Sequence, residues 1–149
     1  MPTLYMMCGL PGSGKSTFAK KMAPSIPAVI VSSDDIRAEV FGGYNAKDNE
    51  RLVQLACEQV REHLERGENV IFDATNTRKW QREKMLETAC GIARVVAVHM
   101  ATPANVCMYR NRTRDRVVPD CVFRTMERLM ELPTTAEGFH AIATYGLPF

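Results

Sequence analysis

The sequence predicts an α/β fold, a parallel β-sheet flanked by helices. Short apolar runs alternate with stretches of helical periodicity. The first run leads straight into Gly9-Leu10-Pro11-Gly12-Ser13-Gly14-Lys15-Ser16-Thr17. Polar residues then follow successive runs, at Ser32–Asp35, Asp73–Asn76 and Thr102, where open parallel sheets keep their ligand sites.

Taken in order, Leu4–Cys8 is the first expected strand, and a helix follows from about Lys15 to Met22. Ala28–Val31 is a second strand. Ser32-Ser33-Asp34-Asp35 opens a helix that Gly42-Gly43 breaks. From about Ala46 to Arg66, Leu52, Leu55, Ala56, Val60 and Leu64 keep the spacing of one helical face, and Gly67 ends it. Asn69–Phe72 is a buried strand ending on Asp73. Thr77 to Cys90 reads as a helix, Ala93–Met100 as a strand, and Pro103 to about Arg114 as another helix. Pro119 suits a first helical turn, and that helix ends before Pro133. Phe139–Thr144 is a last edge strand.

The 149 residues suit one domain spanning 1–149, and 46% hydrophobic with 24% charged content is ordinary for a globular chain. The five cysteines and three histidines are too scattered for a zinc site or disulfide framework, which predicts free thiols in a reducing cytoplasm. No apolar run reaches a membrane span, and Met1–Tyr5 lacks the charged start of a signal peptide. A net charge of +2 excludes a globally basic nucleic-acid binder, leaving local clusters to make any such contact.

The glycine segment matches G-x-x-x-x-G-K-[ST] with a strand before it and a helix after it, the phosphate-loop context. Gly12, Ser13, Gly14, Lys15, Ser16 and Thr17 are the expected nucleotide cradle. Glycines turn backbone N–H groups inward, and the helix adds its positive N-terminal dipole. Lys15 reaches the β- and γ-phosphates of ATP, and the Ser16 hydroxyl ligates Mg²⁺. This segment specifies a nucleotide but not a reaction.

Asp34, just past the second strand, is positioned to orient an acceptor hydroxyl and take its proton. Ser32 to Asp35 also fits a helix-capping pattern, and both roles can coexist. Arg37 fits a substrate phosphate or a partner for Asp34 equally well. Asn69–Asp73 reads as a Walker B strand whose acid helps hold Mg²⁺. Thr75 and Asn76 suit an N-cap, and Arg78, Lys79 and Arg82 suit a solvated face. Arg110, Arg112, Arg114 and Arg116 alternate at a helix end. If that helix continues, Arg110 and Arg114 share a face, the arrangement of an arginine-bearing lid over about 110–119.

With these segments placed, the chain from Leu4 to about Met130 resembles the 5′-kinase domain of phage-type polynucleotide kinases, within a broader group of small P-loop kinases. The resemblance rests on Gly9–Thr17, Asp34-Asp35-Ile36-Arg37, Asp73-Ala74-Thr75-Asn76, Arg110-Asn111 through Arg114, and Val118-Pro119 in that order. It implies a sheet of adenylate-kinase type, with Asp34 as general base on a 5′-hydroxyl. It makes Arg37 the ligand of the acceptor's 3′-phosphate and Asp73 an acceptor-side partner rather than a metal ligand. Arg110 and Arg114 become lid arginines on the donor phosphates, and Val118 packs on the acceptor nucleotide; Thr75 is a further expected substrate-binding residue. Three features depart from the phage pattern: Ser33 replaces a basic residue, Asp73–Asn76 is one residue longer, and the lid is about one shorter.

The expected function is therefore an ATP- and Mg²⁺-dependent transfer to the 5′-hydroxyl end of RNA or DNA. The alternative is a P-loop kinase for a nucleoside, sugar, antibiotic or cell-wall precursor. A nucleotide-driven switch would carry a water-positioning residue and coupling motifs, and neither is legible here.

Overall fold

The computed structural model describes residues 1–42, 49–115 and 117–146. Its elements, in chain order, are β1 (Thr3–Cys8), α1 (Lys15–Ser25), β2 (Ala28–Ser32) and α2 (Ser33–Ile36). A π-helical turn (Arg37–Phe41) continues α2. Then come α3 (Asn49–Glu65), β3 (Asn69–Asp73), α4 (Lys79–Ala89), β4 (Arg94–Met100), α5 (Ala104–Thr113) and α6 (Asp120–Leu129). A 3₁₀ turn (Thr135–Glu137) and β5 (Ala141–Tyr145) follow.

Among the described residues the strands form one parallel sheet in the order β2-β3-β1-β4-β5, as the apolar runs predict. β1 is central, in register with β3 from Leu4 opposite Val70 and with β4 from Thr3 opposite Arg94. Because every strand points the same way, the loops after β1, β2, β3 and β4 gather along one edge, with the phosphate loop in the middle.

Strand alternation divides the core. Leu4, Met6, Val70, Phe72 and Val95 face α3 and α4, where Leu52, Ala56, Val60 and Leu64 come from every fourth position of α3. Met7, Ile71 and Val98 face α1, where Ala19 is buried and Phe18 half-buried. A smaller cluster of Leu10, Cys107 and Phe123 joins α5 and α6 to the phosphate loop. Burying a phenylalanine like Phe123 contributes about 1.5–3 kcal/mol, so this cluster fixes the otherwise peripheral α5–α6 pair. No helix of the described residues is long and apolar enough to cross a membrane.

Several boundaries differ from the sequence-based expectation for local reasons. α1 runs three residues beyond Met22, with Pro24 accommodated in its last turn. The expected start of α3 near Ala46, and Gly43 of the preceding break, lie outside the described residues. α4 begins at Lys79 rather than Thr77, because Asn76 adopts φ 46° and Thr77 is buried. Thr75 and Asn76 are therefore not its N-cap: Asn76 Nδ2 instead donates to the Met7 carbonyl (2.7 Å). α5 stops at Thr113, with Arg114 extended at φ −91° and ψ 162°, so the shared helical face expected for Arg110 and Arg114 does not form. Arg116 lies outside the described residues.

Candidate active site

The loop after β1 is held from several sides. Gly9 N–H donates to the Thr75 carbonyl (2.9 Å), Ser13 N–H to Leu10 (3.0 Å), and Thr102 Oγ1 to the Ser13 carbonyl (2.8 Å). Gly12 has φ +83°, and a Cβ there would sit 2.3 Å from the Cys107 carbonyl oxygen, so both backbone and α5 require glycine. Gly14 is left-handed at φ 97° and N-caps α1, which aims that helix's free N–H groups at the loop.

Around this loop opens a cavity of about 650 Å³, in the range that holds a nucleotide-sized ligand. Gly12, Ser13, Gly14, Lys15, Ser16 and Thr17 line one side, and Arg110 and Arg114 line the other. A second, narrower cavity of about 40 Å³ is lined by Asp34, Arg37, Asp73, Thr75 and Val118. Lys15, Ser16 and Arg114 line both. The site residues expected from the sequence thus fall into two adjoining spaces, with cationic groups at their shared boundary.

Lys15 is buried, and its Nζ donates to the Leu10 carbonyl (3.2 Å). Burial lowers its pKa below the ordinary lysine value; Asp73 opposes that shift and Arg114 adds to it. Anionic oxygens arriving between Lys15 and Arg114 would favour the charged ammonium.

Ser16 Oγ donates to Asp73 Oδ2 at 2.6 Å. With the hydroxyl proton directed at the carboxylate, the oxygen's lone pairs remain for a cation, the donor arrangement that Mg²⁺ needs beside nucleotide phosphates. No cluster of three or more His, Cys, Asp or Glu among the described residues could cage a metal alone. The donor set therefore fits Mg²⁺ held by one hydroxyl, phosphate oxygens and water. Asp73 touches Ser16 and also lines the narrow cavity, a position compatible with serving either the cation or the acceptor.

At the start of α2, Ser32 Oγ accepts the Asp35 N–H (3.3 Å), so the cap is made by Ser32. Ser33 Oγ donates to the Asp73 carbonyl (3.4 Å), tying α2 to β3 at the position where the phage-type pattern carries a basic residue. Arg37 reaches Asn49 Oδ1 at 3.4 Å and lines the narrow cavity.

Two structural residues escaped the sequence reading. Arg82 is fully buried rather than on a solvated face. It donates to Glu137 (2.8 and 3.2 Å) and to the carbonyls of Asn76 and Glu131 (both 2.8 Å). No local pattern marked it, because two of its partners, Glu131 and Glu137, lie about fifty residues away. Asn111, also fully buried, donates to the Val118 carbonyl (2.8 Å) and accepts its N–H (3.0 Å). This pair of bonds pins the chain after Arg114 so that Val118 faces the narrow cavity. Asn111→Ala should cost about 1–3 kcal/mol in urea unfolding and raise KM for the acceptor more than for ATP, since it leaves buried backbone groups unpaired. An equal fold-change in both KM values would show that Val118 does not depend on it.

The arginines divide. Arg110 and Arg114 face the large cavity, whereas Arg112 pairs with Asp120 in solvent (2.8 Å). Cys8 is a buried strand-end residue whose thiol burial pushes its pKa up to about 12, which leaves it inert.

Comparison with known proteins matches residues 4–133 to the AAA domain family. An L-seryl-tRNA(Sec) kinase of Methanococcus maripaludis is 31% identical over 139 residues, covering 89% of this chain and 54% of that protein. The chain thus spans about half the length of this curated relative. A chain of the Pnkp1/Rnl/Hen1 RNA repair complex superposes with a TM-score of 0.72 at 28% identity, over 85% of this chain and 42% of that one. A gluconokinase from Sinorhizobium meliloti shares the fold with a TM-score of 0.68 at 19% identity, over 99% of this chain and 85% of that one.

Proposed function

The chain belongs to the AAA domain family and has the P-loop kinase fold, and from that premise we propose that it transfers the γ-phosphoryl group of ATP, with Mg²⁺, to the 5′-hydroxyl of an RNA or DNA end. One observation carries the reading: Lys15, Ser16 and Arg114 lie between a nucleotide-sized cavity and a narrow cavity bearing Asp34 and Arg37.

In this reading the large cavity takes ATP and the narrow one takes the acceptor sugar. ATP with Mg²⁺ supplies a γ-phosphoryl group whose charge is partly neutralised. Gly12–Thr17 cradle its phosphates, and Ser16 offers its oxygen to the cation. Asp34 orients the 5′-hydroxyl and accepts its proton as the new O–P bond forms and the β,γ-bridge bond breaks to release ADP. Lys15, Arg110 and Arg114 stabilise charge on the transferring oxygens. Arg37 holds the acceptor's 3′-phosphate, with Asp73, Thr75 and Val118 around the sugar and base. The 110–119 segment acts as the lid that excludes water.

The acceptor class draws support from two comparisons above 25% identity, the seryl-tRNA kinase and the RNA repair complex. One name carries a seryl-tRNA and the other RNA repair, which supports an RNA-bearing acceptor, and the accepting hydroxyl is left to the labelling experiment. The gluconokinase, at 19% identity, carries fold alone. The reading is tested with γ-labelled ATP and four acceptors: a 5′-hydroxyl oligonucleotide, its 5′-phosphorylated twin, a nucleoside 3′-monophosphate and a bare nucleoside. Label is expected on the first and third only. Label on none of them, with ATP still bound, would move the assignment to a small-molecule kinase.

A further inference from the structure

We infer that the acceptor strand continues past the narrow cavity into a groove between α4 and α6, where Trp80 is a stacking platform for the base of the next nucleotide on the 3′ side. This deepens the polynucleotide reading and rests on it.

The groove is about 340 Å³ and is walled by Arg78 and Trp80 from one side and Cys121, Thr125, Met126 and Leu129 of α6 from the other. It is continuous with the proposed acceptor site along two routes. Met126 lines both the groove and the cavity that holds Asp34. Trp80 and Gln81 line both the groove and a pocket of about 60 Å³, which shares Arg37 and Thr75 with the Asp34 cavity. If Arg37 holds the first 3′-phosphate, the following nucleoside leaves that phosphate facing Trp80.

The chemistry of the groove suits a nucleotide. Trp80 is 48% exposed at the start of α4, and Leu129 opposite is 38% exposed. A half-exposed indole facing an apolar wall has the form of a sequence-tolerant base platform. Lys79 beside it is exposed, and Arg124 and Arg128 are exposed on α6 next to Thr125 and Leu129. Arg78 lines the groove while bonded to Glu131 (3.3 Å). These four cations outnumber the nearby acids Asp120, Glu127 and Glu131, of which Asp120 is paired with Arg112 and Glu131 with Arg78. A short helix-bound peptide would need a longer apolar trough than these walls supply.

Trp80 is the chain's sole tryptophan, so its emission reports on this groove and the small pocket adjoining it. The test uses the full chain with a 5′-hydroxyl dinucleotide or hexanucleotide and with a nucleoside 3′-monophosphate. The oligonucleotides should quench Trp80 emission at saturation, and the mononucleotide should quench it far less. Trp80→Ala should raise KM for the hexanucleotide roughly 5- to 150-fold more than for the mononucleotide, the range for losing one base–aromatic stack. Trp80→Phe should recover most of that ratio, which a folding defect would not do. If both acceptors are phosphorylated but their KM ratio is unmoved by Trp80→Ala, the groove proposal falls and the kinase reading stands. If no nucleic-acid acceptor is phosphorylated, the polynucleotide reading itself falls and takes the groove with it.

Discussion

Asp34→Ala should lower kcat by about 10²–10⁴-fold while leaving the Kd for ATP nearly unchanged, the range for removing a positioned general base. The carboxylate lines the narrow cavity and not the nucleotide-sized one. Its loss should also spare the helix start, because the cap on α2 is the Ser32 hydroxyl accepting the Asp35 N–H. Lys15→Ala provides the contrast. It removes a buried ammonium from the boundary of both cavities, so ATP binding itself should weaken by about 1.5–3 kcal/mol. Single-turnover transfer and equilibrium ATP binding, measured on both variants, separate the two roles. Asp34→Ala with near-normal kcat would return Asp34 to the ordinary place of an acid near a helix start.

How much of this was legible in the sequence depends on the range of the interaction. The phosphate loop is local: glycines at fixed offsets, a lysine and a serine need only the strand before and the helix after to define their geometry. The strands were equally legible, because a parallel sheet covered on both faces requires continuous apolar runs such as Val70-Ile71-Phe72. The arginine cluster was only half legible. Its members are chemically alike, and where α5 ends decides which face the nucleotide cavity. Arg110 reaches it from the helix, Arg114 reaches it from extended chain, and Arg112 turns to Asp120. Asn76 misled, and Asn111 went unread, for the opposite reason. A short amide side chain serves a local cap or a distant carbonyl with equal ease, and here both bond to backbone outside their own turn. The segment from Leu132 onward gave no signal of its role. It acts through one long-range ion pair at Glu137 and through β5, which pairs with β4 from Ala141 opposite Val96.

That ion pair predicts the largest loss of stability. Arg82→Met should destabilise the fold by about 3–5 kcal/mol, because it leaves Glu137 without its buried partner and the carbonyls of Asn76 and Glu131 without donors. Burial alone would raise the Glu137 pKa, but the bonds from Arg82 and from Thr134 outweigh it, and the net shift is downward from the ordinary glutamate value. A carboxylate depressed in the folded state adds stability that is complete above its unfolded pKa and lost as pH falls through the lower folded one. Wild-type stability should therefore decline through the acidic carboxylate range, and Arg82→Met should flatten that limb as well as lower the plateau. Urea unfolding from neutral to acidic pH reads both effects. A loss below about 1 kcal/mol with an unchanged acid limb would show the pair to be energetically idle. The consequence reaches the chemistry through three short bonds. Arg82 holds the Asn76 carbonyl, Asn76 holds Met7 at the end of β1, and its neighbour Thr75 accepts the N–H of Gly9. A buried arginine of α4 is thus linked by hydrogen bonds to the phosphate loop, so Arg82→Met should also weaken ATP binding where the protein remains folded.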